Sequence, residues 1–222
     1  MATMDLRVDD GIHILTLTNG DNDNTFTLDV LKEYLAAFDE IENYKGNTAL
    51  VVTCEHEKTW SNGINLPWMT ALQGDGFKEF VDTLEEVFYR LALLNVPTIG
   101  CINGNCYAGG AILATAFDFR VMRKDRGRFC YPEVNIKIPF TELMIDVIEL
   151  LPNKHALKHM ALTGIAKTGQ ECMDDNIVDA LFPMESLQAG ALAYAKELAK
   201  KDRPTYTTIK RSLRKNIAKH RE

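Results

Sequence analysis

Segment 101–114 combines the end of an apolar run with two adjacent glycines, Gly109 and Gly110. The run, residues 96–102, predicts a buried strand, and the apolar residues after the glycines predict a helix. A helix that begins at such a turn directs free backbone N–H groups and the positive end of its dipole toward an anion. A Gly-Gly pair is also a common packing device, so this turn alone does not establish a site.

A second turn of the same kind lies earlier in the chain, in segment 58–66. It follows the strand-like run 48–53 and contains Ser61, Asn62 and Gly63. Two N–H groups from two separate turns at strand ends can stabilise a carbonyl oxygen on which negative charge develops. The pair of turns therefore predicts chemistry at an acyl carbonyl, by acyl transfer or by enolate formation.

The two turns, in this order and with this separation, resemble those of the enoyl-CoA hydratase/isomerase (crotonase) family, and the resemblance covers most of the chain. It implies that the residue after the first turn's glycine and one glycine of the second turn donate N–H groups to a thioester oxygen. These donors correspond to Ile64 and Gly109. The resemblance also places further residues of both turns against the substrate, namely Ser61, Asn62, Gly63 and Gly110.

Segment 128–139 resembles the third motif of the family, in which a Pro-Glu pair follows a strand. Hydratases of the family hold and split a water molecule with two glutamates. The first corresponds to Glu133, but Ile112 occupies the second position. A single carboxylate beside an oxyanion hole suits removal of a proton next to a thioester and its return elsewhere on the same carbon chain. The resemblance is therefore closest to the Δ3,Δ2-enoyl-CoA isomerase branch, in which one glutamate moves a proton between C2 and C4.

Other functions remain open from the sequence. One is a hydratase that combines Glu133 with a borrowed carboxylate from Glu142 or Asp146, or another acyl-CoA enzyme of the family, such as a hydrolase or a decarboxylase. Another is a non-catalytic acyl-CoA-binding relative in which Glu133 is an exposed carboxylate at a strand end.

Apolar residues near the motifs predict the walls of an acyl pocket. Trp68 follows the first turn, Ile112 lies three residues after Gly109, and Phe140 follows Glu133. Burial of Glu133 among Ile112, Phe140 and the acyl chain would raise the pKa of its carboxyl. Trp68 is interpreted equally well as part of the protein core, as are its neighbours Met69, Phe77 and Phe80.

The composition is that of an ordinary cytoplasmic enzyme. The chain has 222 residues, 46% of them hydrophobic, which is enough for one domain with a sizeable core. We expect no membrane span, no secretory signal and no peroxisomal Ser-Lys-Leu ending. Five cysteines at irregular spacing predict reduced thiols rather than disulfides. We expect no metal and no redox cofactor, and coenzyme A enters only as part of the acyl-CoA substrate.

A net charge of −6 argues against a nucleic-acid partner, because a polyanion would be repelled. The basic tail, residues 210–221, departs from this balance and predicts a helix. Its cations are interpreted as a solvated helix face or as groups that meet the phosphates of coenzyme A.

Strands that alternate with helices predict an α/β fold with parallel pairing. The resemblance makes this specific: a crotonase-like spiral of ββα units over residues 1–185 and a C-terminal helical segment over residues 186–222. That segment carries more apolar side chains than a lone helix pair can bury, among them Leu192, Leu198, Ile209, Leu213 and Ile217. The resemblance implies that such helices pack between the subunits of a homotrimer or a hexamer.

Overall fold

Two β-sheets form the scaffold of the protein, whose structure, a computed structural model, describes residues 2–221. The larger sheet contains β1 (Met4–Asp9), β2 (Ile12–Leu17), β3 (Leu50–Cys54), β5 (Thr98–Ile102), β7 (Phe119–Arg123) and β10 (Ala180–Phe182), in that spatial order. The smaller sheet contains β4 (Thr59–Ser61), β6 (Asn105–Tyr107), β8 (Arg128–Cys130) and β9 (Lys167–Thr168), also in that spatial order. Neighbouring strands are parallel except β1 with β2 and β8 with β9.

Eleven helices connect and cover these strands within residues 2–221. They are α1 (Leu28–Asn43), α2 (Leu66–Thr70), α3 (Asp75–Leu93), α4 (Gly109–Ala116), α5 (Glu133–Ile136), α6 (Glu142–Ile148), α7 (Lys154–Thr163), α8 (Gly169–Asp174), α9 (Met184–Leu198), α10 (Arg203–Leu213) and α11 (Lys215–Ala218). Short 3-10 helices occupy Gly20–Asn22 and Lys219–Arg221.

The chain passes from one sheet to the other and then into a helix, three times in succession. The units are β3-β4 with α2 and α3, β5-β6 with α4, and β7-β8 with α5. Each turn of the chain thus adds a parallel strand to both sheets, which confirms the predicted spiral of ββα units. Both β3 and β5 are buried along their whole length, as expected for parallel strands covered on two faces.

The helix α1 illustrates how the sequence specifies these elements. The Thr27 hydroxyl accepts from the Val30 N–H and caps the first turn, as its position predicts. Leu31, Phe38 and Ile41 recur at helical spacing and are fully buried. This face joins the main core, which α3, α4 and α6 complete, and thereby supports the inner side of both sheets.

The helix α9 covers the outer face of the larger sheet. Leu187, Ala191 and Ala195 are buried there against strand residues that include Ile14 and Val51. The predicted division of the chain at residue 185 stays a prediction, and the terminal residues Met1 and Glu222 lie outside the described residues.

The predicted strands 48–53 and 96–102 lie within two residues of β3 and β5. The short strands of the smaller sheet were not predicted, because two or three residues cannot display an alternating pattern. The edge strand β1 was missed as well, since most of it is exposed. The five cysteines are free and buried, as predicted. Among residues 2–221, the structure has no helix with the length and apolar character that crossing a membrane requires.

Candidate active site

The two glycine turns leave the same end of the smaller sheet. Its strands β4 and β6 run parallel, with Ser61 opposite Cys106. Because parallel strands end at the same edge of a sheet, the residues that follow β4 and β6 meet there. The polar turn residues therefore converge although they are distant in sequence.

The first turn keeps the N–H of Ile64 free. Phe26 brackets this residue, since its N–H donates to the Gly63 carbonyl at 2.7 Å and its carbonyl accepts from the Asn65 N–H at 3.0 Å. In such a parallel bridge the residue between the two bonded groups directs its own N–H away. In the part of the chain that the structure describes, no group accepts from the Ile64 N–H.

The second free N–H belongs to Gly109, the first residue of α4. The first N–H groups of a helix have no partner inside it. Ala108 precedes the helix with φ 50° and ψ −128°, a conformation that is strained for a residue with a side chain. Its N–H donates to the Cys130 carbonyl at 3.0 Å, which holds the turn in place.

Both donors line a cavity of about 210 Å³, together with Ile112 and Glu133. Ile112 is on the face of α4 that Gly109 occupies, because residues three apart share a helix face. The remaining lining residues are mostly apolar: Asn62, Leu66, Tyr107, Ala108, Pro132, Ile136, Ile138, Pro139 and Met144.

Glu133 is the buried acid of this cavity. It begins the short helix α5 directly after Pro132, and only 6% of it is exposed. Its Oε2 atom is buried without a hydrogen-bond partner. Removal from water raises the pKa of the Glu133 carboxyl to about 7, although a hydrogen bond from its own N–H lowers it. The carboxyl is thus able both to take and to return a proton near neutral pH.

Three of the turn residues predicted to bind substrate occupy supporting positions instead of the cavity wall. The Ser61 hydroxyl donates to the Asn24 carbonyl at 2.8 Å and accepts from the Gly63 N–H at 3.1 Å, so it fixes the first turn. Gly63 and Gly110 lie where the two turns touch. A Cβ on Gly110 would come within 2.4 Å of the Ser61 carbonyl oxygen. Asn62, in contrast, lines the cavity.

The predicted apolar wall residues separate into two places. Trp68 packs edge-on against the buried ring of Phe80, with ring centroids 5.3 Å apart, and does not border the cavity. Phe140 borders an adjoining apolar cavity of about 450 Å³, which also touches Glu133, Ile138 and Pro139. The two cavities therefore meet at the carboxylate.

Sequence reasoning missed several lining residues, of which Tyr107 is the largest. Its place just before the second turn was a usable signal, because Cys106 is fully buried and strand side chains alternate in direction. Ile136, Ile138 and Met144 reach the cavity from the end of α5, from the loop after it and from α6, which no local pattern indicates.

The two carboxylates considered as a second acid lie elsewhere. Glu142 and Asp146 are on α6 and border a surface depression with Lys219 and His220. The Oδ2 atom of Asp146 is 2.6 Å from Nε2 of His220. Among the described residues, Glu133 is the only acid that lines the cavity.

The basic tail is not simply a solvated helix face, and that interpretation was wrong for two of its cations. The Lys210 ammonium is buried and donates to the carbonyls of Leu94 and Val96 at 2.9 and 2.6 Å. It also pairs with Asp118 at 2.6 Å, and Arg214 pairs with the same carboxylate at 3.0 Å. Burial lowers the pKa of Lys210 to about 8. These cations attach the C-terminal helices to the core.

A family model and two curated proteins match nearly the whole chain. The family model described as enoyl-CoA hydratase/isomerase matches residues 7–222. Enoyl-CoA delta isomerase 3 of Arabidopsis thaliana is 28% identical over 221 residues, which cover 96% of this chain and 92% of that protein. The peroxisomal enoyl-CoA delta isomerase 2 of the same plant is 29% identical over 223 residues, which cover 96% of this chain and 92% of that protein.

A solved structure shares the fold. The crystal structure of human mitochondrial Δ3-Δ2-enoyl-CoA isomerase superposes with a TM-score of 0.92 at 22% identity. The match covers 99% of this chain and 86% of the human one.

Proposed function

The chain belongs to the enoyl-CoA hydratase/isomerase family, and on that premise we propose that it is an isomerase that moves the double bond of an acyl-CoA from the Δ3 to the Δ2 position. The observation that carries this proposal is the acid content of the cavity. It holds one carboxylate, Glu133, beside the free N–H groups of Ile64 and Gly109, and Ile112 stands where a second acid would act. The two delta isomerases of Arabidopsis thaliana support the same branch of the family.

The reaction begins when the thioester oxygen accepts hydrogen bonds from Ile64 N–H and Gly109 N–H. These bonds stabilise the negative charge that develops on that oxygen as the C2 proton leaves. Glu133 takes the proton, and the electron pair of the C2–H bond is delocalised over C2, C4 and the thioester. Glu133 then returns the proton to C4, so the double bond moves from C3–C4 to C2–C3 and no atom is gained or lost.

The environment of Glu133 suits this shuttle. A general base works best when its pKa lies near the working pH, and burial raises the pKa of Glu133 to about 7. The apolar lining keeps the carboxylate from being stabilised by water. Hydration is disfavoured because Glu133 is the only acid of this lining among the described residues, so no second acid is present to hold and split a water molecule with it.

A hydratase is the second candidate, since the family description includes both reactions. Coupled assays with 3-hexenoyl-CoA and 2-hexenoyl-CoA separate the two. The isomerase hypothesis predicts that 3-hexenoyl-CoA is isomerised at a far higher rate than 2-hexenoyl-CoA is hydrated. Hydration at an equal or greater rate would establish the hydratase, and no turnover of either would favour the non-catalytic acyl-CoA-binding relative.

Coenzyme A takes part as the carrier of the substrate, and the enzyme works in the cytoplasm.

The chain assembles as a homotrimer or a hexamer through its C-terminal helices. The exposure of Ile209 (55%) and Leu213 (79%) supports this assembly. Light scattering tests the assembly: a fully active particle near 25.0 kDa would exclude it.

A further inference from the structure

Two polar side chains of the cavity, Asn62 and Tyr107, have no part in the proton shuttle. Their positions follow from the smaller sheet, in which Ser61 lies opposite Cys106 and both are fully buried. Strand side chains alternate in direction, so Tyr107, the residue after Cys106 on β6, turns toward the other side. Asn62 directly follows the last residue of β4, and both Asn62 and Tyr107 line the cavity. Each therefore contributes a polar side chain to its wall.

Both side chains have unused hydrogen-bonding capacity. The Oδ1 atom of Asn62 is buried and lacks a partner, although its backbone N–H is fixed by the Asp23 carbonyl at 3.1 Å. Within residues 2–221 nothing is hydrogen-bonded to the Tyr107 hydroxyl, while its strand is held by the pairing of Tyr107 with Cys130. Buried polar groups are almost always satisfied in a working state. The buried Oδ1 atom of Asn62 thus marks a position at which a ligand supplies a polar group, and the free hydroxyl of the half-buried Tyr107 belongs to the lining of the same cavity.

The chemistry of an acyl thioester limits what that group is. An unsubstituted enoyl chain has one hydrogen-bonding atom, the thioester oxygen, and the N–H groups of Ile64 and Gly109 engage it. On the other side of the sulfur, the pantetheine arm carries an amide one ethylene unit away. An amide offers both a donor and an acceptor, which match a carboxamide and a phenol.

We propose that Asn62 and Tyr107 form a subsite that hydrogen-bonds the pantetheine amide nearest the sulfur. This inference rests on the proposed function in so far as the ligand is an acyl thioester. The subsite orients the thioester so that its oxygen meets the two N–H groups and its C2 faces Glu133. It also gives the enzyme a preference for thioesters that carry this amide over plain alkyl thioesters.

Binding of two saturated thioesters tests the subsite without any need for turnover. The first is the N-acetylcysteamine thioester of butanoic acid, which retains the amide, and the second is the S-pentyl thioester of equal length, which lacks it. Dissociation constants are measured by ligand-observed NMR for the wild type, Asn62→Ala, Tyr107→Phe and the double variant. Met173→Leu is the control, because Met173 is exposed on α8 and does not border the cavity.

We expect the wild type and Met173→Leu to bind the amide thioester about tenfold more tightly than the alkyl thioester, since each neutral hydrogen bond contributes a factor of several. Each single variant should lower that preference by about threefold, and the double variant should abolish it. A wild type without preference, or a preference that survives in both variants, overturns the proposal. Tyr107→Phe keeps the ring and so preserves the packing of the wall.

A third ligand separates the two sides of the thioester. If the S-pentyl thioester of 4-hydroxybutanoic acid binds more tightly than its butanoyl counterpart, and both variants remove that gain, the pair recognises the acyl side and the amide assignment is wrong. An amide preference in a protein that does not isomerise 3-hexenoyl-CoA would retain the subsite and remove the isomerase function. The two claims therefore fail by different results.

Discussion

Gly63 and Gly109 touch across 46 residues of sequence, so that a Cβ on Gly63 would lie 2.4 Å from the Gly109 nitrogen. Gly63 also has φ +74°, which side chains disfavour. This contact sets the spacing of the two turns, and with it the spacing of the Ile64 and Gly109 N–H groups. The oxyanion hole is thus assembled by close backbone packing, for which glycine is required.

Gly63→Ala should therefore reduce isomerase activity in addition to the stability that a strained turn loses. Gly11 is the matched control, because its φ is +76° and a Cβ there would meet nothing within 4 Å. Both alanine variants should lose about 1–2 kcal/mol from positive φ, measured as the free energy of unfolding in urea. Only Gly63→Ala should also lose isomerase activity, by at least tenfold. Equal activity in the two variants would show that the turn contact does not position the donors.

Asp118→Asn should destabilise the protein strongly. Its carboxylate is buried and pairs with Lys210 and Arg214, so the change leaves two cations without their counter-ion. Loss of one member of a buried ion pair costs about 3–5 kcal/mol. The control is Glu197→Gln, since the pair of Glu197 with Lys200 is exposed and such pairs contribute about 0–1 kcal/mol. Similar unfolding free energies for both variants would contradict the clamp described for the C-terminal helices.

The sequence was sufficient for the ββα spiral and for the places of Glu133, Ile64 and Gly109 because those features reside in local motifs. It was not sufficient for Tyr107. Its strand, β6, has only three residues, and the direction of the Tyr107 side chain depends on the pairing of β6 with β4 and β8. Trp68 shows the converse: its apolar character suited a pocket wall, but its ring packs on Phe80 in the core. The roles of Lys210 and Arg214 depend on contacts with carbonyls about a hundred residues away, which a helical pattern does not reveal.

The burial of Glu133 should lower stability at alkaline pH. Its carboxyl has a folded-state pKa of about 7 against an ordinary value of 4.5. Between these values the folded protein holds a proton that the unfolded chain has released, so stability falls as pH rises through this window. Above pH 7, the buried charge lowers the free energy of unfolding by about 3 kcal/mol.

Glu133→Gln carries no charge and should therefore unfold at higher urea concentration than the wild type at pH 8, with the difference vanishing near pH 4. The exposed Glu57→Gln serves as the control and should show little difference at either pH. A gap between Glu133→Gln and the wild type that does not change with pH would mean that Glu133 is not held in a desolvated state.

Ile112→Glu should introduce hydration of 2-hexenoyl-CoA, because it places a second carboxylate in the cavity of Glu133. Two acids in one apolar cavity raise each other's pKa and destabilise the fold, so a lower melting temperature accompanies the gain. Ile112→Gln has the same size as the glutamate variant without its acidity, and should not hydrate. Hydration by the wild type at or above its isomerisation rate would contradict the single-carboxylate mechanism.

The central claim is that Glu133 alone moves the proton, and Glu133→Gln tests it most directly. The assay is conversion of 3-hexenoyl-CoA to 2-hexenoyl-CoA, with binding of hexanoyl-CoA measured on the same preparations. General base catalysis contributes about 10²–10⁴-fold, so we predict a loss of at least a hundredfold in kcat while the dissociation constant of hexanoyl-CoA changes by less than about threefold. A loss of less than tenfold in kcat, with binding intact, would contradict the account, because another group would then carry the proton.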